Sequence, residues 1–101
     1  MHRIFIILYL PKVREALGLD RCTAFFSGAA PISGETIKYF LSLDMVVHEL
    51  YGMSEVTGPQ SLQTGPRTVI GSVGPTMPGC ETRLANKDAD GNGEICMKGR
   101  N

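Results

Sequence analysis

The sequence predicts an α/β fold, in which a parallel strand–helix–strand unit over Cys22–Tyr51 is followed by a β-hairpin over Cys80–Met97. Three observations carry this expectation. Cys22–Ser27 and Met45–Tyr51 are β-favouring runs that each end at a glycine. Between them Ile37, Phe40 and Leu41 recur at helical spacing, and the whole stretch is thirty residues, the length of a crossover joining two parallel strands. Downstream, two alternating segments flank a polar turn, the pattern of an antiparallel pair.

Met1–Leu10 opens on His2 and Arg3 and continues as an apolar run from Ile4 to Leu10. This has the outline of a signal peptide, yet seven apolar residues are the short limit for one and no small-x-small cleavage site follows. The run is also far below the ~20 residues that span a bilayer. It is expected to form a buried strand, the end of a helix, or a segment that starts within a domain. Pro11–Gly18 predicts a short helix, with Pro11 at its start, Val13, Ala16 and Leu17 on one face and Gly18 as the stop. Leu19–Arg21 is then a turn, and Cys22–Ser27 a buried strand. Ser33 is placed to cap the next helix and Glu35 to sit in its first turn, where the helix dipole favours an anion. That helix is expected to end near Asp44. Met45–Tyr51 is the second strand, with Val46 and Leu50 on one side, Val47 and Tyr51 on the other, and Gly52 as its end. Val56–Thr68 shows no period and is expected as a loop, with Gly71–Pro75 and Pro78–Gly79 as further turns. Cys80–Ala85 and Glu94–Met97 form the hairpin around Asn86–Asn92.

The 101 residues suit one domain at most, with a modest core. Ten basic side chains balance ten acidic ones, so no electrostatic case exists for a nucleic acid or an anionic membrane surface as partner. Cys22, Cys80 and Cys96 are an odd number at spacings that fit neither a zinc site nor a C-x-x-C pair. Free thiols in a reducing compartment are expected.

Because parallel strands end on the same edge of a sheet, Gly28-Ala29-Ala30-Pro31 and Tyr51-Gly52-Met53-Ser54-Glu55 should face one space at the carboxyl edge, where open α/β sheets bind ligands. The first loop has almost no side-chain bulk and offers its backbone. The second carries a set suited to a magnesium-bound nucleotide: a Tyr ring for a flat base, a glycine for close backbone approach, a Ser hydroxyl for a phosphate oxygen, and a Glu carboxylate for Mg²⁺. A strand ending in a glycine turn, with Ser54 capping a following helix, is the bland alternative.

Rival sites are weaker. Asp88-Ala89-Asp90-Gly91-Asn92-Gly93 fits the first half of a calcium loop, but the twelfth position is Gly99 where a bidentate Glu is needed, so a tight polar turn is expected. His48, Glu49 and Ser54 are the residue types of a hydrolase triad, yet His48 and Glu49 are adjacent on a strand and point to opposite faces. A His48 satisfied by a backbone carbonyl is expected instead. Gly71, Gly74 and Gly79 are spaced wrongly for a dinucleotide fingerprint.

The order of motifs resembles that of the adenylate-forming (AMP-binding) superfamily, which contains acyl-CoA synthetases, luciferases and peptide-synthetase adenylation domains. Ser27-Gly28-Ala29-Ala30-Pro31, Tyr51-Gly52-Met53-Ser54-Glu55, Gly71-Ser72-Val73-Gly74 with Pro78-Gly79, and Gly93-Glu94-Ile95-Cys96-Met97-Lys98-Gly99-Arg100 match it in sequence order. Phe40–Asp44 and Glu49–Glu55 followed by Thr57-Gly58-Pro59 are most similar to bubblegum-type long-chain fatty acid–CoA ligases. The resemblance implies part of the large N-terminal domain of an adenylate-forming enzyme, with residues 11–101 as a partial adenylation domain and residues 1–10 matching poorly. It further implies ATP/AMP, Mg²⁺ and coenzyme A as cofactors and co-substrates, and a long-chain fatty acid as substrate. The place implied for the parent enzyme is cytoplasmic, or peripheral on the endoplasmic reticulum membrane. Residue by residue, Gly28, Ala29, Ala30, Pro31 and Tyr51 would flank adenine, Ser54 would contact the α-phosphate, and Glu55 would ligate Mg²⁺. Gly52 and Gly58-Pro59 would lie near the acyl carboxylate.

The family's phosphate loop lies upstream of these motifs, and its ribose-binding Asp, hinge and catalytic Lys lie downstream. No G-x-x-x-x-G-K-[ST] loop occurs in the 101 residues either. The chain alone is therefore expected to be inactive. The alternatives are a non-catalytic nucleotide-binding or interaction module that keeps part of the fold, and an unstable product with open sheet edges.

Overall fold

The computed structural model describes residues 2–66 and 68–99. Met1, Arg67, Arg100 and Asn101, which include the ends of the Met1–Leu10 segment and of the Gly93–Arg100 stretch, lie outside the described residues. In chain order the elements are α1 (His2–Ala16), β1 (Phe25–Ser27), α2 (Gly34–Ser42), β2 (Val47–Met53), a 3-10 turn over Ser54–Val56, β3 (Gly58–Leu62), β4 (Glu81–Ala85) and β5 (Glu94–Lys98).

The predicted βαβ unit is present. β1 and β2 pair in parallel, with Phe25, Phe26 and Ser27 opposite Val47, His48 and Glu49. Between them, Ser33 caps α2 by accepting the Thr36 N–H at 3.1 Å, and Glu35 stands in the first turn. α2 packs on β2 and buries Ile37 completely. β4 and β5 form the expected antiparallel hairpin, from Glu81 opposite Lys98 to Ala85 opposite Glu94.

Four expectations change. α1 is one helix that runs through Pro11, where the spacing predicts a helix starting at Pro11 and a separate segment before it. Pro11 cannot donate to the Ile7 carbonyl, a loss tolerable here because Ile7 is 70% exposed and water can serve that oxygen. β1 is shorter than Cys22–Ser27, since the parallel ladder reaches back only to Phe25; Cys22 bonds locally, its thiol donating to the Ala24 carbonyl at 3.1 Å. β2 does not stop at Gly52. It continues to Met53 because the stretch expected as a loop contains β3, which pairs antiparallel with it. β3 escapes a hydropathy pattern because its buried side chains are polar: Gln60 and Ser61 are 1% and 7% exposed, and Gln63 just beyond is 5% exposed. Finally, His48 Nδ1 is buried without a hydrogen-bond partner, and the ring lies 5.9 Å from that of Phe26 instead of serving a carbonyl.

The apolar core is thin. Among the described residues only Leu10, Ile37, Met45 and Val47 are buried hydrophobics, whereas Ile4, Ile7, Leu8, Tyr9 and Leu17 of α1 and its C-terminal extension are more than half exposed. The radius of gyration is 17.0 Å, against about 13 Å for a compact chain of this length. Polar struts do part of the joining. Gln60 reaches from β3 to the hairpin, its amide donating to the Glu81 carbonyl and to Thr82 Oγ1 at 3.0 Å each. No helix among the described residues is long and apolar enough to cross a membrane.

Asp88 organises the hairpin turn. Its Oδ1 accepts the Asp90 and Asn92 backbone N–H groups at 3.0 and 2.8 Å, and Oδ2 accepts the Asn92 amide at 3.2 Å. These donors, the Asn92 backbone N–H foremost and its side-chain amide next, hold the carboxyl below its ordinary 3.8. A lowered folded-state pKa makes the turn's stabilisation complete above 3.8 and lost as pH falls through the lower, folded value. In an NMR titration the Asp88-dependent step in the Asp90 and Asn92 amide signals should therefore have its midpoint below pH 3.8. In Asp88→Asn that acid step should vanish.

Candidate functional site

A cavity of about 390 Å³ lies where the two small-residue loops meet, lined by Ser27, Ala29, Ala30, Pro31, Ile32, Glu49, Leu50, Tyr51, Gly52, Gly71 and Val73. Its position follows from the parallel register. Ser27 and Glu49 are opposite each other in the ladder, so the chain leaving β1 and the chain continuing along β2 bound the same space. The volume is within the range of small-molecule sites.

Each wall has a local cause. Gly28 suits this position because a Cβ there would sit 2.5 Å from Leu50 Cδ1, so any side chain at the β1 exit would force the Leu50 side chain to move. Ala29 follows with φ 69°, a left-handed conformation that costs a residue with a Cβ about 1–2 kcal/mol. Such strain gathers at ligand sites. On the opposite side Gly52 lies against β3, where a Cβ would collide with the Gly58 carbonyl oxygen and with Pro59 Cα. The register shifts between Tyr51 and Gly52, and this bulge re-aims the half-buried Tyr51 at the cavity rim.

Ala29, Ala30, Pro31, Tyr51 and Gly52 are thus brought to one cavity, and Gly28 joins two of its lining residues. Ser54 and Glu55 are not in its wall. They stand on the exposed 3-10 turn at the tip between β2 and β3, two and three residues beyond Gly52, a turn closed by the Thr57 N–H donating to the Ser54 carbonyl at 3.1 Å. Among the described residues no three His, Cys, Asp or Glu side chains gather in a metal-binding group. Glu55 alone fits Mg²⁺ in one manner only, as a single carboxylate sharing the ion with phosphate oxygens.

Glu49, Gly71 and Val73 also line the cavity, although the residues alone mark none of them as a candidate site residue. Glu49 precedes Tyr51 by two positions on a strand and so shares its face, a signal that the alternation contains. Gly71 and Val73 stand in one of the four motifs that carry the family resemblance, but a loop returning to a sheet leaves no period that would place them at the cavity. Its return is held by the Gly71 N–H, which donates to Glu49 Oε2 at 3.4 Å. Two other concavities have less to offer. One of about 420 Å³ is bounded only by the strands of the β4–β5 hairpin, and one of about 230 Å³ lies beside Arg14, Phe25 and His48 at the opposite end of the parallel pair.

Comparison with known proteins shows what the chain is similar to. The long-chain-fatty-acid–CoA ligase ACSBG2 of Gallus gallus is 54% identical over 93 residues, which is 92% of this chain and 12% of that protein. The ACSBG2 ligase of Homo sapiens is 42% identical over 98% of this chain and 15% of its own length, and the ACSBG1 ligase of Rattus norvegicus 44% identical over 97% and 14%. The chain thus spans about a seventh of the curated relatives it matches. The crystal structure of apo MatB from Rhodopseudomonas palustris superposes with a TM-score of 0.61 at 29% identity, covering 75% of this chain and 16% of that one. A sequence model described as "AMP-binding enzyme" matches residues 4–101, and with that match the chain belongs to the AMP-binding enzyme family.

Proposed function

We propose that these residues form the base-binding and magnesium-side part of a long-chain fatty acid–CoA ligase. In the reaction of such a ligase a fatty-acid carboxylate oxygen attacks the α-phosphorus of ATP, pyrophosphate leaves, and the thiol of coenzyme A then attacks the acyl carbon while AMP departs. The observation that carries the proposal is the cavity shared by the Ser27–Ile32 and Glu49–Gly52 segments. A purine fits its chemistry. The Tyr51 ring supplies a stacking face, a contact worth about 1–3 kcal/mol for a base on an aromatic side chain. Ala29 and Ala30 offer backbone polar groups at the base edge, and the Glu49 carboxylate is an acceptor for an exocyclic amino group.

Beyond the cavity rim the chain continues to the Ser54 hydroxyl, in reach of an α-phosphate on this reading, and to the Glu55 carboxylate. Mg²⁺ held there would neutralise phosphate charge as pyrophosphate departs. Gly52 and the Gly58-Pro59 pair border the place proposed for the acyl carboxylate. The relatives named as long-chain-fatty-acid–CoA ligases support the substrate class.

Binding should not extend to turnover by these 101 residues alone. Phosphoryl-type chemistry rests on charge neutralisation around the transferring group, and no Lys or Arg lines the cavity among the described residues. The test is an NMR titration of the chain with AMP, paired with an assay for pyrophosphate. Saturable shifts at Ala29, Ala30, Tyr51 and Gly71, with no pyrophosphate released from ATP and a long-chain fatty acid, are the expected result. Shifts scattered elsewhere, or none, defeat the base-site reading; pyrophosphate release defeats the claim of inactivity.

A further inference from the structure

We propose that Gln63 is a positioning residue for the nucleotide cavity, holding the 68–73 segment, whose Gly71 and Val73 form its far wall, and, through Gly71, orienting the Glu49 carboxylate that faces the base. The inference rests on the nucleotide reading of the cavity given above. Its basis is a side-chain amide with every hydrogen-bonding position taken. A glutamine amide offers two N–H donors and two carbonyl lone pairs. Here Nε2 donates to the Val69 carbonyl at 2.7 Å and to the Ser72 carbonyl, while Oε1 accepts from Thr68 Oγ1 at 2.7 Å and from the Val69 N–H at 2.8 Å. Two carbonyls on one side and two donors on the other allow only this orientation of the amide. The residue is 5% exposed, so water does not compete for these positions.

The bonds close a ring that ends in the cavity. The Gln63 N–H donates to the Glu49 carbonyl at 3.1 Å, its side chain folds the 68–72 segment back on itself, and the Gly71 N–H from that segment donates to Glu49 Oε2. Leu62 N–H to the Pro75 carbonyl at 3.2 Å and Gly74 against the Leu62 and Gln63 backbone fasten the far side. Glu49 is therefore contacted twice, at its backbone by Gln63 and at its carboxylate by one long, exposed bond of 3.4 Å from the loop that Gln63 shapes. Val73 reaches the cavity by the same loop. Without the amide, four partners lose their bonds together and the Gly71 donor is no longer delivered to the carboxylate.

The experiment compares the 101-residue chain with Gln63→Met and Thr68→Val, using AMP and inosine monophosphate as probes and amide hydrogen exchange as the control for folding. Inosine monophosphate has a carbonyl where AMP has its amino group, so an oriented Glu49 should favour AMP by about tenfold in the wild type. Gln63→Met is expected to weaken AMP about tenfold, bring the two affinities together, and expose Val69 and Gly71 to exchange while Ile37 stays protected. Thr68→Val removes one bond of the four, keeps the fold, and should show the same loss of discrimination in smaller degree, which decides the matter if Gln63→Met does not fold. Unchanged AMP affinity and an unchanged AMP-to-inosine ratio in either folded variant overturn the role of Gln63. Absence of AMP binding by the wild type overturns the cavity reading itself, whatever the loop does.

Discussion

Gly52→Ala is expected to destabilise the chain by about 3 kcal/mol, the upper part of the usual range for forcing extra volume into a packed site. The added methyl would meet the Gly58 carbonyl oxygen and Pro59 Cα, which are backbone atoms of the neighbouring strand. No rotamer change relieves such a contact, so β3 must move away from β2. The loss would spread, because β3 carries Gln60 to the hairpin and leads into Gln63 and its loop. Against a stability of about 5–15 kcal/mol for an ordinary domain, a loss of that size removes a large share of the margin of a chain with so thin a core. Urea denaturation followed by circular dichroism checks it: a lowered midpoint with an unchanged slope is expected. A midpoint within error of the wild type would mean that β2 and β3 do not approach as described.

The contrast between Gly52 and Gly28 shows how differently two glycines can act at one site. At Gly28 an added methyl meets the flexible end of the Leu50 side chain as well as, at 3.4 Å, its carbonyl, so rotation of that side chain can absorb part of the contact. Gly28 guards the fit of the β1 exit, whereas Gly52 guards the pairing of two strands. Both glycines stand out in the sequence as ends of β-favouring runs; which backbone each must admit is written only in the pairing.

The parallel unit was legible because its signals are local and agree with one another. Ser33, Glu35 and Ile37 mark a capped amphipathic helix, and a β-favouring run on either side leaves few topologies. From that step alone follows the expectation that Gly28–Pro31 and Tyr51–Glu55 share a space; Ala29, Ala30, Pro31, Tyr51 and Gly52 line one cavity, whereas Ser54 and Glu55 stand on the exposed turn beyond it. β3 is hidden because Gln60, Ser61 and the following Gln63 are buried although polar, with the Gln60 amide spent on Thr82 and that of Gln63 on Thr68, and hydropathy cannot register a glutamine that spends its amide inside the protein. Pro59 and Gly58 reinforced the error, since both usually demote a strand. α1 was misdrawn for the opposite reason. Pro11 is a strong local signal for a helix start, yet α1 passes through it, at a place where Ile7, the residue whose carbonyl loses its helical donor, is exposed. The place of Gly71 and Val73 at the cavity has no periodicity to announce it, because it depends on the bonds of the Gln63 side chain to Thr68, Val69 and Ser72.

Ile37→Ala should cost about 3 kcal/mol, within the 2–5 found for truncating a fully buried large aliphatic side chain. Ile37 has no exposed surface and is the buried anchor of α2, while its helical neighbours Tyr39 and Leu41 are 62% and 37% exposed. Leu41→Ala is therefore the control, expected to cost well under about 1 kcal/mol. The functional consequence follows from chain order. Pro31 and Ser33 lie two residues apart, so the loop that lines the cavity is tethered at its far end by the N-cap of α2. Ala29 holds its left-handed conformation only while both ends of that loop are fixed, and helix detachment releases one of them. In Ile37→Ala the AMP shifts at Ala29 and Ala30 should weaken more than the global stability loss predicts at temperatures where the chain is still folded. Equal weakening of Ala29, Tyr51 and Gly71 would instead mean that the cavity melts as one piece with the sheet, and that α2 has no separate hold on the base-side loop.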